Sequence, residues 1–367
     1  MVKKKDTADK DREAEIAEAS AQIAQHQTGM GGDEAPVERV RRAVGVDVGT
    51  SKIVFAERIK DNVSFESRFN AFIPVEYSKF SEGILKQNKI NYFKTGDSLI
   101  VFGDGAEVFA DMLNKATRRP MRQGLLNPTE ENAVNIIHSI LDDLVVPAIR
   151  PDTQLCFSIP GVPRDLDTDI IYHEAVLKRH LAAKGYQVKS INEGMAVVLS
   201  ELGDENFTGM GISAGGGMCN VCLSYLSVPM ISFSLNKGGD YIDEAVASVT
   251  SEVSTRIRKI KETELDLTRK PRNDIEDALH IYHEDLISTL IHALGESLRQ
   301  SSKAPKMDRA IPIVLSGGSV LPKGFKKLFE SALDQADLPL KVSEVRLAKD
   351  PLNATANGAL IAAMYED

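Results

Sequence analysis

Two similar glycine-rich turns lie far apart in the sequence, and both are suited to binding phosphate. The first spans residues 45–52 and contains Asp47 and Gly49, and the second spans residues 211–218 and contains Gly215, Gly216 and Gly217. Glycine lets the backbone approach a ligand closely and direct several N–H groups at one anion. Strand-like apolar residues flank each turn, which predicts two β-hairpins with glycine tips. Two such hairpins facing each other would hold a polyphosphate between two lobes.

The first turn also has side chains that could serve a nucleotide. The Asp47 carboxylate ends a predicted strand, where it could hold Mg²⁺ through water or stabilise its own turn. Thr50 and Ser51 supply hydroxyl and N–H donors for phosphate. Lys52 is a point charge that could reach the β-phosphate, although at the start of a strand it could equally be solvated.

Composition restricts the function classes. The chain has 367 residues, enough for two domains, with 43% apolar and 26% charged residues. Its net charge is −9, which argues against nucleic acid as the main partner. It has no apolar run long enough for a membrane span and no signal peptide, and three cysteines fit a reducing cytoplasm. Cys219 and Cys222 are expected to be buried strand residues, because no second pair completes a zinc site.

Residues 1–40 are expected to form a flexible, charged arm outside the fold. A helix over residues 11–25 is possible on propensity, but its apolar positions are mostly alanine and include no aromatic. A helix lying on a membrane needs larger apolar residues. A solvated arm is therefore favoured over a membrane anchor.

From residue 42 the pattern alternates strands and helices. Hairpins are predicted over residues 43–58 and 209–225, and shorter strands over 99–103, 154–159 and 311–315. Helices are predicted over 129–145, 165–183, 241–261 and 274–298. A further helix is predicted to follow the strand over 311–315 and to end near residue 335. This repeated order predicts an α/β duplicate with a nucleotide cleft between its halves. One lobe would comprise residues 41–190 with 345–367, and the other residues 191–344.

Several segments in the right order resemble the superfamily of actins, heat-shock chaperones and sugar kinases. The first turn matches its D-x-G-T phosphate motif, and residues 314–319 with Pro322 and Gly324 resemble the adenosine motif of actins. Residues 120–124, 192–196, 237–243 and 350–359 resemble segments of the bacterial actin branch that includes MreB, MamK and FtsA. The resemblance runs from Val44 to the C-terminus. It implies a duplicated actin-like (RNase H-like) two-lobed ATPase fold.

The resemblance also implies roles in a site for ATP or ADP with Mg²⁺. Glu193 would orient the attacking water, although an acid is also favourable at a helix start for electrostatic reasons. Lys261 and Glu262 would contact the base and ribose, or else form a solvated charge cluster. The remaining positions implied to contact the nucleotide are Gly239, Gly317, Gly318 and Ser319.

The sequence departs from the family pattern in two ways. Ser213 and Met218 stand where the second phosphate motif has an acid and a threonine, which predicts retained binding and slower hydrolysis. Little sequence separates Lys261 from Asp274, which predicts a reduced second small subdomain and a smaller filament contact.

Three functions are compatible with these features. The first is an ATP-binding actin-like cytoskeletal protein of the bacterial cytoplasm, a weak ATPase that forms nucleotide-dependent filaments. The alternative is a non-polymerising scaffold of the FtsA or pilus type, with cytoskeletal or envelope-associated partners. The third is a small-molecule kinase, but the sequence shows no clear candidate for the catalytic carboxylate or for the substrate-binding insertions that such an enzyme needs.

Overall fold

The computed structural model describes residues 43–113, 115–164, 170–300 and 309–365. The predicted N-terminal arm and the start of the helix predicted over residues 165–183 lie outside these ranges. Where described, that helix runs over Ile170–Ala183.

The first of two five-stranded sheets is built around the first glycine turn. Its strands lie in the order β3-β2-β1-β9-β10, with β1 to β3 antiparallel and β9 and β10 parallel to β1. The bounds are β1 (Ala43–Val48), β2 (Lys52–Ile59), β3 (Asn62–Phe69), β9 (Gln154–Ile159) and β10 (Gln187–Asn192). Helices α3 (Ala133–Leu144) and α4 (Ile170–Ala183) cover this sheet. We call this part the first lobe.

A small antiparallel sheet is inserted between β3 and α3, and the sequence predicts only one of its strands, the one over residues 99–103. It has the order β4-β6-β5, and a short two-stranded ladder, β7-β8, follows it. The bounds of this insertion are β4 (Phe72–Glu76), α1 (Lys79–Gln87), β5 (Tyr92–Thr95), β6 (Ser98–Phe102), α2 (Asp104–Met112), β7 (Met121–Arg122) and β8 (Leu125–Leu126). It has an apolar core of its own around Leu85 and Phe109.

The second five-stranded sheet repeats the plan of the first. Its order is β13-β12-β11-β14-β15, again an antiparallel meander followed by two parallel strands. The strands are β11 (Gly209–Ala214), β12 (Cys219–Tyr225), β13 (Val228–Leu235), β14 (Ile311–Ser316) and β15 (Val342–Leu347). The helices after β10 are α5 (Glu193–Glu201), α6 (Gly239–Thr250), α7 (Ser254–Thr263), α8 (Asp274–Gln300), α9 (Phe325–Gln335) and α10 (Ala354–Met364). The predicted α/β duplicate and both hairpins are confirmed, and this part is the second lobe.

The two lobes exchange one helix each. The chain leaves the first sheet through β10, yet α5 packs against β11 and β12 of the second sheet. It leaves the second sheet through β15, yet α10 packs against β1 and β9 of the first. The two helices also pack on each other, and a Cβ added to Gly358 of α10 would overlap the backbone of Ala196 in α5. Glycine at this crossing therefore lets the lobes be joined closely.

The apolar cores follow the two sheets. A large cluster lies between the second sheet and α8 and α9, and a separate one lies between the first sheet and α3 and α4. The lobe boundaries, residues 41–190 with 345–367 and residues 191–344, stay a prediction.

The prediction of one long helix over residues 241–261 is wrong. The chain forms α6 and α7 instead, because Ser251 adopts a left-handed conformation with φ of 57° and ends α6. The following residues 264–273 contain an isolated bridge from Asp266 to Lys323 and no strand. This short connection agrees with the predicted reduction of the second small subdomain.

The cysteines are buried and unpaired. Cys219 and Cys222 lie on β12, as expected, and burial raises the pKa of each thiol to about 12. The part of the chain that the structure describes holds no group of three or more histidine, cysteine, aspartate or glutamate side chains that could together hold a metal ion. Within the same part, no helix is both long and apolar enough to cross a bilayer.

Candidate functional site

The two predicted glycine tips meet at the boundary between the lobes. A Cβ built on Gly216 would meet the Ser51 side chain, and one built on Gly217 would meet Thr50. A third turn joins them, because the Gly124 N–H donates to Thr50 Oγ1 at 3.1 Å. Any residue other than glycine at these two positions of the second tip would fill the space that faces the first tip.

The second tip has free backbone donors. Gly215 N–H closes the turn by donating to Met218 O at 2.9 Å. The N–H groups of Gly216 and Gly217 donate to no acceptor within the described ranges. Unsatisfied donors on a glycine turn are the feature that phosphate binding needs, so this tip fits the phosphate group of a nucleotide.

Asp47 lies at the end of β1, directly before the first tip. Ser158, at the end of the neighbouring strand β9, donates from Oγ to Asp47 Oδ1 at 2.6 Å and accepts from Val48 N–H at 3.0 Å. Desolvation by the surrounding protein raises the pKa of Asp47 to about 6, although the Ser158 hydrogen bond opposes this. Asp47 is therefore mostly ionised at neutral pH.

Glu193 is the first residue of α5, which Asn192 caps by accepting from Met195 N–H. Its Oε2 accepts from Ser213 Oγ at 3.0 Å and from Asn220 Nδ2 at 2.9 Å. Desolvation first, and then the nearby charge of Asp47, raise the pKa of Glu193 to about 8. The cleft thus holds two interacting carboxyl groups.

This pair of carboxyl groups fits a hydrated divalent cation next to phosphates. Hard oxygen ligands on a partly buried, negatively charged site are what Mg²⁺ prefers. A cation there would lower both pKa values, because it favours the ionised forms. Ionised Glu193 could then accept a hydrogen bond from a water molecule.

Loops of the second lobe surround its glycine tip. The start of α6 donates to the tip, with Gly239 N–H bonded to Gly215 O at 3.0 Å and Asp240 N–H to Gly216 O at 2.8 Å. Ser319 Oγ also donates to Gly215 O at 2.8 Å. Gly317, with φ of 94°, packs against the Ala214 backbone. The residues predicted to contact phosphate and nucleoside are therefore neighbours.

Lys261 lies at the same place as part of a buried ion pair. Its Nζ is 2.8 Å from Asp243 Oδ1 and donates to Gly239 O at 2.8 Å. Burial raises the pKa of Asp243 to about 6, against the opposing effect of Lys261. Lys261 thus links α7 to the glycine turn at the start of α6.

Three of the predicted site residues are exposed. Lys52 is exposed, with its ammonium 4.7 Å from the centroid of the Phe69 ring. Glu262 is exposed next to the buried Lys261, and Gly318 is exposed on the turn after β14. Their roles in ligand contact stay predictions.

Several residues that complete the site were not identified from the sequence. Ser158 and Asn220 hold the two carboxyl groups, and Arg119 contacts both lobes at the tips. Ser213 was identified only as a departure, yet its hydroxyl donates directly to Glu193. Met218 is buried against the Gly124 turn. A local motif cannot reveal these contacts, because each depends on the order of the strands.

Comparison with known structures defines the class of the fold. A double helical filament of MamK matches 89% of this chain and 99% of its own, with 18% identity and a TM-score of 0.65. MreB5 of Spiroplasma citri bound to AMPPNP matches 87% of this chain and 95% of its own, with 17% identity and a TM-score of 0.61. The ADP-bound form of MreB5 matches with the same coverage and identity and a TM-score of 0.58. The chain therefore has the actin-like fold.

The family follows from the sequence. The model of the Volactin family matches residues 42–363, and the chain belongs to this family. A search of curated proteins finds no significant match.

Proposed function

We propose that this chain is an actin-like cytoskeletal protein that binds ATP or ADP with Mg²⁺ in the cleft and forms nucleotide-dependent filaments. The observation that carries the proposal is the meeting of two glycine tips, one from each lobe, beside the carboxyl groups of Asp47 and Glu193. The nucleotide-bound MreB5 structures share this fold, which supports a nucleotide as the ligand.

Each part of the cleft has a role in this proposal. Asp47 holds Mg²⁺ through water, and the backbone donors of both tips bind the phosphates. The second-lobe turns and Lys261 enclose the nucleoside. The two tips touch in this structure, so the lobes must part by the width of a phosphate group for the nucleotide to enter.

Hydrolysis of ATP is slow in this proposal. Glu193 would orient water in its ionised form, which a bound cation favours. Ser213 stabilises the ionised form by donating to it but brings no charge to the metal. The protein is therefore a weak ATPase.

Self-association is the structural role we propose. The MamK match is to a double helical filament, which supports self-association of this chain. A nucleotide favours assembly only by binding the assembling conformation more tightly than the other. Cytoskeletal or envelope-associated partners and a cytoplasmic location complete the proposal.

Nucleotide binding is tested with one glycine of the second tip. Gly216→Ala places a methyl group against Ser51 in the phosphate cradle, so we expect the calorimetric affinity for ATP–Mg²⁺ to fall more than tenfold, about 1.4 kcal/mol. The control is Gly83→Ala in α1, where an added Cβ meets nothing within 4 Å. Equal ATP affinity in the two folded variants would contradict the proposed site.

Assembly is tested by sedimentation and electron microscopy of the full chain. We expect pelleted filaments with ATP–Mg²⁺ and fewer with ADP–Mg²⁺. A protein that binds ATP but stays monomeric by light scattering at high concentration would exclude the filament and leave the non-polymerising scaffold.

A further inference from the structure

One arginine bridges the two lobes at the point where the glycine tips meet. Arg119 Nη1 donates to Ser51 Oγ of the first tip at 2.6 Å and to Asp240 Oδ2 at the start of α6 at 2.9 Å. Its side chain is 16% exposed and that of Asp240 is 25% exposed. The pair is thus largely shielded from water, where an ion pair is stronger than at an open surface.

This ion pair adjoins the phosphate cradle. A Cβ added to Gly216 would lie 3.3 Å from Asp240 Oδ1, in addition to its contact with Ser51. A cavity of about 250 Å³ opens beside it and is lined by Arg119, Gly217 and Asp240 among others. A phosphate group between the tips would lie within reach of the guanidinium.

Two of the neighbouring arginines are committed to other partners. Arg118 makes a two-pronged hydrogen bond with Glu130, and Arg258 pairs with Glu107 of α2. Arg119 bonds only through Nη1 within the described part of the chain, which leaves other donors of its planar fork for a ligand. A guanidinium fork binds phosphate through two neighbouring nitrogens, so a phosphate held by Nη1 and Nη2 would compete with Asp240 for Nη1.

We propose that Arg119 exchanges Asp240 for the phosphate chain of the bound nucleotide. Without nucleotide, the Arg119–Asp240 pair holds the tips together; with nucleotide, the guanidinium binds phosphate and the lobes are linked through the ligand instead. This inference rests on the proposed nucleotide binding and adds a phosphate-binding residue and its competitor. The exchange requires that removing Arg119 weakens nucleotide binding and that removing the charge of Asp240 strengthens it.

The test measures the affinities of the full chain for ATP, ADP and adenosine by calorimetry. Arg119→Ala removes a phosphate ligand, so we expect about tenfold weaker binding of ATP and ADP and unchanged binding of adenosine. Asp240→Asn removes the competitor, so we expect severalfold tighter binding of ATP. A purely structural ion pair would make both variants change the affinity in the same direction.

Two matched controls separate this exchange from general electrostatics. Glu244→Gln removes a negative charge that lines the same cavity one helical turn from Asp240, and it is expected to change ATP affinity less than Asp240→Asn. Arg118→Ala removes the adjacent arginine and should leave ATP affinity within about twofold. Thermal unfolding checks each variant, and Arg119→Gln replaces Arg119→Ala if that variant does not fold.

The experiment distinguishes failure of the proposed function from failure of the exchange between Asp240 and phosphate. If the unaltered chain binds neither ATP nor ADP, the proposed function fails and this inference fails with it. If the unaltered chain binds ATP but Arg119→Ala and Asp240→Asn change affinity in the same direction, or Glu244→Gln matches Asp240→Asn, only the exchange is overturned.

Discussion

The duplicated fold places Asp47 and Ser213 at equivalent positions. Each lies at the end of the central strand of its sheet, directly before a glycine tip. The first lobe thus has a carboxylate where the second has a hydroxyl. That hydroxyl donates to Glu193, whereas an acid there would add a third carboxylate to a site whose existing pair is already difficult to ionise. The serine lowers the negative charge that the nucleotide-free protein must accommodate.

The raised pKa of Glu193 predicts a pH-dependent stability. Its folded-state pKa of about 8 lies above the ordinary value, so its contribution to folding is fully present below pH 4.5 and is lost as the pH rises through 8. Glu193→Gln keeps acceptors for Ser213 and Asn220 but cannot ionise. We expect it to raise the free energy of unfolding at pH 8.5 by on the order of 2 kcal/mol.

Urea unfolding without nucleotide measures this effect, and pH 5 supplies the control. There the unaltered Glu193 is protonated in the folded protein, so the stability difference between the two proteins should be small. A constant difference from pH 5 to pH 8.5 would show that Glu193 does not titrate in this range.

Local sequence was sufficient for half of the candidate site. Glycine spacing predicted both tips, and Asp47 and Glu193 follow from motifs that are continuous in the chain. Arg119 and Asp240 are 121 residues apart and Ser158 and Asp47 are 111 apart. The first contact requires the two lobes to meet, and the second requires β9 to pair with β1. A local sequence pattern cannot predict a contact between residues that are so far apart in the chain.

Among the elements, those with strong local signals were predicted well. The strand over Gln154–Ile159 and the end of α9 at Gln335 agree with prediction. In the small inserted sheet β6 was predicted, but strands such as β5 were missed because they are only four residues long and partly exposed. The α6–α7 break was missed because Ser251 enters the left-handed region without a glycine to indicate it.

The α5–α10 crossing predicts an intolerance of side chains at Gly358. A methyl group there would overlap the backbone of Ala196, which a rotamer change cannot relieve. We expect Gly358→Ala to lower the free energy of unfolding by about 2–3 kcal/mol, despite the higher helix propensity of alanine.

The measurement is chemical denaturation, which gives the free energies of unfolding of Gly358→Ala and of the control variant Gly83→Ala. The second substitution is also in a helix but meets no neighbour, so it should be neutral or stabilising by up to about 1 kcal/mol. Equal effects at the two glycines would mean that the helices can separate at no cost.

At the scale of the whole molecule, net charge should affect assembly. Each subunit carries a formal charge of −9, so stacked subunits repel one another at low salt. At physiological ionic strength the Debye length is about 8–10 Å, so exposed charges that are farther apart than this are largely screened. We therefore expect the critical concentration for filament formation with ATP–Mg²⁺ to fall as salt rises from low to physiological levels, as measured by sedimentation. Weaker assembly with added salt would instead indicate contacts between opposite charges.

The exchange of α5 and α10 has a consequence for how the chain acquires its structure. Each sheet is covered on one face by a helix that the other half of the chain supplies. During synthesis, a first half with β1 to β10 complete still exposes the faces of β1 and β9 that α10 covers, because α10 is made only after β15. The first sheet therefore cannot complete its interior until α10 has been made. The second sheet is not delayed in this way, because α5 precedes it in the chain and can cover it as soon as β15 has formed.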